Sequence, residues 1–308
     1  MGHGKLRKFA ENETFRCLLQ PEASQVLDKS QDDKQLRLND HPVKGRWGQD
    51  IFGNDHPIVL ELGCGKGDYT IALARRHPEI NYIGVDIKGA RLWRGAKEAT
   101  EDTLPNVAFL RTRIEFIEAF FGPGEVSEIW LTFSDPQLRG SENSRLSSPL
   151  FLERYRKFLT PGGIIRLKTD SRFLYEYTLS LCKVNDLQIV AYGTDIYREG
   201  VHIPESSLRD PSHSLRLRVP PSYRAEGGQR FGDVHPLPVK EEEVDEVLQV
   251  QTFYETMFLQ MGLPITYLAF CIDHEGPYAY PGEAFDHDYW LEAEGPRRSF
   301  SHQPNPKV

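Results

Sequence analysis

From residue 58 onward the chain alternates short apolar runs with stretches of helical period, and residues 1–57 show little of either. Ile58-Val59-Leu60-Glu61-Leu62 reads as a buried strand, and it runs directly into glycines. A helix is predicted from Tyr69 to His77, where Pro78 stops it. Tyr82 to Asp86 predicts the next strand, followed by a helix over about Ala90 to Ala99. Val107 to Thr112 and Glu128 to Phe133 give two further strands. Leu150 to Phe158 reads as a helix, Pro161-Gly162-Gly163 as a break, and Ile164 to Lys168 as a fifth strand. Phe173 to Lys183 is helical in pattern, and Gln188 to Tyr192 returns as a strand. Strands alternating with helices of about ten residues predict βαβ units. The expected fold class is therefore α/β, a mostly parallel twisted sheet with helices on both faces.

The alternation breaks at 199–243, where Pro204, Pro211, Pro220, Pro221, Pro236 and Pro238 mix with charges of both signs. This predicts a long surface loop or partly disordered insertion. Order returns with a helix over Val244 to Met261 and a strand over Ile265 to Ile272. The expected organisation is an N-terminal extension with a basic arm (1–57), one domain (58–272) carrying the insertion, and a loosely packed acidic tail (273–308).

Composition narrows this picture. A chain of 308 residues holds one large domain or two modest ones. No stretch approaches the ~18 uncharged apolar residues of a membrane-spanning helix, and Met1 to Thr14 lacks the apolar centre of a secretory signal. Cys17, Cys64, Cys182 and Cys271 form no C-x-x-C pair, which argues against zinc and against a disulfide framework. The expectation is a cytoplasmic protein with reduced thiols, no metal and no membrane partner, monomeric or homodimeric. Net charge is −8, from 37 basic and 45 acidic side chains. Seven acidic residues lie in 271–308, whereas 1–20 hold four basic against two acidic. Charge thus neither excludes nor suggests a nucleic-acid partner.

Polar clusters fall at four strand ends: Glu61 to Asp68, Asp86, Asp135 and Asp170. Open α/β sheets bind ligands outside the carboxyl ends of their strands, although turns collect glycine and aspartate for purely local reasons. Gly63-Cys64-Gly65-Lys66-Gly67 follows a strand and precedes a helix, where glycine lets backbone approach a ligand closely. Position 68 is Asp, so the spacing is not G-x-G-x-x-G, and an aspartate opening the helix repels a pyrophosphate. A cationic sulfonium ligand, S-adenosylmethionine, suits the loop better than a nicotinamide dinucleotide. Asp86 is placed to accept hydrogen bonds from ribose hydroxyls or to cap a helix.

Taken with Gly4 to Ala10, Gly84-Val85-Asp86-Ile87-Lys88, Phe133-Ser134-Asp135-Pro136, Leu159 to Gly163, Leu167-Lys168-Thr169-Asp170 and Thr252-Phe253-Tyr254-Glu255, the glycine loop has a specific likeness. The chain resembles a Rossmann-like class I methyltransferase, and more narrowly the bacterial tRNA (guanine-N7-)-methyltransferase family, over roughly 58–195 and 244–272. That family commonly reads F-P-D-P-W-P-K-K-R-H after the fourth strand. Here Gln137-Leu138-Arg139-Gly140 replaces the tryptophan and most of the basic run.

The resemblance implies methyl transfer from S-adenosylmethionine to N7 of a variable-loop guanosine, position 46, in tRNA. It assigns the cofactor to Glu61, Gly63, Gly65, Gly67, Asp86, Arg113, Ile114 and Asp135, with Glu61 facing the methionine amino group. Asp135 is the implied catalytic carboxylate, with an Asp-Pro turn as its plain alternative. Arg139, Asp170, Thr252 and Glu255 are the implied substrate contacts. Thr252 and Glu255 also fit a capping box, S/T-x-x-E, that would only start a helix. Arg145 lies close enough to offer a second phosphate contact beside Arg139, and Lys5, Arg7 and Lys8 form an arm that could meet the tRNA backbone. Another methyl acceptor, or a noncatalytic protein binding S-adenosylmethionine or tRNA, remain the alternatives.

Overall fold

Strand β2 (Ile58–Leu62) is buried along its whole length, as an apolar run in the middle of a parallel sheet must be. The computed structural model describes residues 3–30, 36–204 and 250–295 and sets this strand within one eight-stranded sheet. The other strands are β1 (Leu18–Leu19), β3 (Asn81–Asp86), β4 (Val107–Arg111), β5 (Val126–Thr132), β6 (Leu159–Thr169), β7 (Ile189–Gly193) and β8 (Thr266–Cys271). Their order is β1-β4-β3-β2-β5-β6-β8-β7. The pairs from β1 to β6 are parallel, and β8 lies antiparallel to both β6 and β7. From β2 the chain moves outward to β3 and β4, then crosses to β5 and β6 on the other side. The reversal opens a crevice at the carboxyl ends of these strands, where an α/β sheet takes its ligand.

The helices are α1 (His3–Asn12), α2 (Ala23–Val26), α3 (Asp68–Arg76), α4 (Gly89–Glu101), α5 (Pro149–Tyr155), α6 (Arg172–Val184), α7 (Phe253–Gln260) and α8 (His287–Glu294). Strand alternation sorts them into two layers. Ile58, Leu60 and Leu62 of β2 face one core with α5 and α6, while Val59 faces a second with α3 and α4. Glu61 therefore points to the α3 side. α1 packs on α4 and covers the outer edge of that layer.

Both termini are more integrated than their patterns predict. β1 adds the N-terminal segment to the sheet edge by pairing with β4. Trp47 is fully buried, donates its indole N–H to the Phe120 carbonyl at 2.8 Å and stacks on Phe121 at 5.3 Å. The expected loose tail is docked as far as residue 295: Phe285 meets Phe173 edge-on at 5.1 Å, and Glu294 accepts from the Phe173 N–H at 3.0 Å. Pro161-Gly162-Gly163 lies inside β6, which starts earlier than expected because Leu159 already pairs with Val126. Most of the 199–243 insertion, and residues 244–249 of the expected helix, lie outside the described residues. Among the described residues no helix is long and apolar enough to cross a membrane.

Candidate active site at the carboxyl ends of the central strands

Gly63, Gly65 and Gly67 all take left-handed backbone, with φ of +79°, +59° and +77°. An added Cβ would meet nothing within 4 Å at Gly63 or Gly65, so the loop between β2 and α3 presents an open wall there. Gly67 differs from the expectation for it. Its Cβ would fall 2.6 Å from the Phe109 ring, so its lack of a side chain serves packing against β4 rather than the open wall.

Two carboxylates back the loop. Glu61 is 5% exposed; its Oε2 accepts from the Thr70 N–H at 2.9 Å and the Thr70 hydroxyl at 2.5 Å, and its Oε1 accepts from the Thr132 hydroxyl at 2.6 Å. Burial pushes its carboxyl up to about 7, against the opposing pull of the Thr132 and Thr70 hydrogen bonds. Asp86 ends β3 and binds the loop to the next turn: Oδ2 accepts from Gly65 N at 3.1 Å and Oδ1 from Lys88 N at 2.7 Å. Arg113 and Ile114 follow β4. Arg113 is exposed and pairs with Glu115 at 3.2 Å, while Ile114 is half-buried.

Asp135 is exposed on the loop leaving β5. The residues on either side of Ser134-Asp135-Pro136 are both left-handed, Phe133 at φ +49° and Gln137 at +51°, an uncommon state for side chains with a Cβ. Three contacts hold this backbone. Phe133 N donates to the Lys168 carbonyl at 2.8 Å, Gln137 N donates to Asp135 Oδ1 at 2.9 Å, and Arg145 Nε donates to the Pro136 carbonyl at 3.1 Å. The expectation for Arg145 is overturned. It is 3% exposed and its guanidinium lies 4.9 Å from the Phe173 ring and 4.5 Å from that of Tyr177, so it clamps the loop and offers nothing to a phosphate. Arg139 points to solvent on the following turn.

Asp170 follows β6 directly and is half-buried, just before Ser171 caps α6 by accepting from Leu174 N at 3.1 Å. Thr252 and Glu255 form the capping box. Thr252 Oγ1 accepts from Glu255 N at 3.2 Å, and the helix begins at Phe253 rather than at 244. Glu255 is fully buried. Its Oε1 lies 2.6 Å from Lys168 Nζ and accepts from the Tyr197 hydroxyl at 2.7 Å. Its carboxylate is engaged inside the protein with a lysine that is itself fully buried and also donates to the Val250 carbonyl at 3.2 Å. Sequence reasoning missed Lys168 in this role, although a lysine in the middle of an apolar strand was a signal for it. It also missed Phe253 and Tyr254, which are 43% and 42% exposed beside the crevice, with Lys66 Nζ 5.3 Å from the Phe253 ring.

The open glycine wall with Glu61, Asp68 and Asp86 around it fits a ligand carrying positive charge and hydroxyl groups, and opposes a pyrophosphate. Against known proteins, residues 55–195 match the family described as "Putative methyltransferase". The tRNA (guanine-N(7)-)-methyltransferase of Bacteroides thetaiotaomicron is 40% identical over 299 residues, 97% of this chain and 98% of that one. The protein of the same name from Christiangramia forsetii is 42% identical over 87% of this chain and 97% of that one. That of Lactococcus lactis subsp. cremoris is 35% identical over 61% of this chain and 87% of that one.

Proposed function

The chain belongs to the tRNA (guanine-N(7)-)-methyltransferase family, and on that premise we propose that its crevice transfers a methyl group from S-adenosylmethionine to N7 of a guanosine in tRNA. The carrying observation is the open Gly63–Gly65 wall, backed by carboxylates, at the same strand ends that present Asp135. When bound, S-adenosylmethionine supplies an electrophilic methyl group on a sulfonium.

Guanine N7 carries a lone pair and no proton, so no side chain has to act as a base on it. The protein's work is alignment and exclusion of water, with charge stabilisation added where charge develops. Asp86 is positioned to accept from ribose hydroxyls while its present contacts hold the loop. Glu61, ionised, would receive the methionine ammonium, and the backbone at Arg113 and Ile114 would border the adenine. Asp135 faces the ring that becomes cationic. Its carboxylate stays in place because Phe133, Gln137 and the Arg145 clamp fix the backbone on both sides of it. Asp170 and Arg139 complete the substrate side, and the cytoplasm is where such a substrate is met.

The test is methyl transfer from labelled S-adenosylmethionine to unmodified bulk tRNA, with the product base identified by nucleoside mass spectrometry. N7-methylguanosine from the wild type, and at least a hundredfold less from Asp135→Ala with S-adenosylmethionine still bound, supports the reading. Transfer undiminished in Asp135→Ala removes that residue from the chemistry, and a different methylated base overturns the reaction.

A further inference from the structure

The Asp135 loop leaves only Arg139 in solvent as a cation, since Arg145 is consumed inside the protein. An RNA substrate needs more phosphate contacts than one arginine supplies, so they must come from elsewhere on this chain. Residues 3–12 and 88–97 together hold seven lysines and arginines against a single carboxylate, Glu11, in a chain whose net charge is −8. These are α1 and the first nine residues of α4 with Lys88 before them, and the two helices pack on each other; Glu98 and Glu101 follow on the last turn of α4.

The packing sets several of these cations around two aromatic rings. Lys8 Nζ and Lys97 Nζ lie 4.4 and 5.3 Å from the same ring, that of Trp93. Lys5 Nζ and the Arg111 guanidinium lie 5.9 and 5.3 Å from the Phe9 ring. Glu11 is occupied with the Trp93 indole N–H at 2.6 Å and with Arg7 at 3.5 Å. Arg91 and Arg94 are exposed on α4, and among the described residues neither is within ion-pair reach of a carboxylate. Lys97 is paired with Glu101 at 3.6 Å, so Arg91 and Arg94 are the cations of this face left to attract an anion.

The face also leads to the crevice. α4 starts three residues after Asp86, and the Lys66 carbonyl of the glycine loop lies against Gly95 of α4, where an added Cβ would sit 2.7 Å from it. Lys66 in turn reaches the exposed Phe253 ring. The basic α1–α4 layer thus packs directly behind the glycine loop, whose Lys66 reaches the exposed Phe253 ring.

The geometry points to this α1–α4 face as the surface that docks the phosphate backbone of the RNA substrate, with Arg91 and Arg94 as its principal free cations. It rests on the methyltransferase reading above and adds the place where the polynucleotide lies. The Arg139 turn is then a minor contact.

The experiment uses the full chain and unmodified tRNA, with binding followed by fluorescence anisotropy across a salt series and KM for tRNA measured alongside. Arg91→Ala/Arg94→Ala is expected to raise KM for tRNA at least tenfold. It should also lower the slope of log affinity against log salt by roughly one to two, since each lost phosphate contact removes about 0.7–0.9. Affinity for S-adenosylmethionine, measured by calorimetry, stays at the wild-type value and shows that the variant is folded. Lys157→Ala/Lys183→Ala, on elements outside this face, leaves both tRNA readouts unchanged. A double arginine variant with wild-type slope and KM overturns the docking face while leaving the methyltransferase reading intact. A wild type that binds S-adenosylmethionine yet neither binds nor methylates tRNA overturns that reading and the docking face with it.

Discussion

Glu61 holds a carboxyl group where water does not reach it, and its protonation is therefore coupled to folding. Raised from 4.5 to about 7, the group favours the folded state fully below pH 4.5, and that advantage fades as pH rises to about 7. The full effect is roughly 3 kcal/mol, at about 1.4 kcal/mol per pH unit. Glu61→Gln, followed by urea unfolding between pH 4.5 and 7.5, should flatten this loss relative to wild type; an equal slope in both proteins would show that the group does not titrate there. If the carboxylate receives the ligand ammonium, binding at pH 7 should release protons, seen in calorimetry as heat that varies with buffer ionisation enthalpy and is absent in Glu61→Gln. Lys168 and Glu255 form a fully buried ion pair. Glu255→Gln leaves the fully buried ammonium without its anion and should cost about 3–5 kcal/mol, whereas Lys168→Met/Glu255→Met should recover most of it. A single variant costing under about 1 kcal/mol in urea would contradict the burial of the pair.

At the level of elements, helix propensity and packing compete openly at Gly95. Alanine in a helix interior is ordinarily better than glycine by about 1 kcal/mol. Here an added Cβ would come 2.6 Å from the Phe109 ring and 2.7 Å from the Lys66 carbonyl, so the loop and β4 must both shift. Gly95→Ala is expected to lower the melting temperature and weaken S-adenosylmethionine binding together, because the displaced loop is the one that carries Gly63 and Gly65; a raised melting temperature would mean propensity wins. Thr252→Ala removes the α7 cap and should cost about 1 kcal/mol by urea unfolding. β2, α3, β3 and the glycine loop were legible in the sequence because their signals are local: an apolar run, glycines, and a helical period opened by an aspartate. β1 was not, since two residues have no period and exist as a strand only through β4. Arg145 was misread for a related reason. Arginine is ordinarily a surface residue, and nothing nearby in sequence announces that Phe173 and Tyr177 will cover it. The capping box was readable as a motif, yet its glutamate's real partner lies 87 residues away, at Lys168.

For the whole molecule, the two described stretches on either side of 205–249 are fastened to the same layer. Val201, Ile203 and Val250 share one apolar cluster with β8, Tyr197 bonds to Glu255, and Lys168 bonds to the Val250 carbonyl. The Ile196 N–H also donates to the Ile265 carbonyl at 2.9 Å. These contacts, all between residues outside 205–249, fasten α7 to the sheet. Closing a longer or shorter connection then changes stability slowly, about 0.6 kcal/mol for each doubling of its length. Replacing 205–249 with a glycine-serine linker should leave the melting temperature within a few degrees of wild type; a large drop would show that the segment carries folding energy of its own. The junction between Pro204 and Val250 should therefore behave as a socket: a reporter domain or affinity tag grafted there in place of 205–249 should leave S-adenosylmethionine binding at the wild-type value.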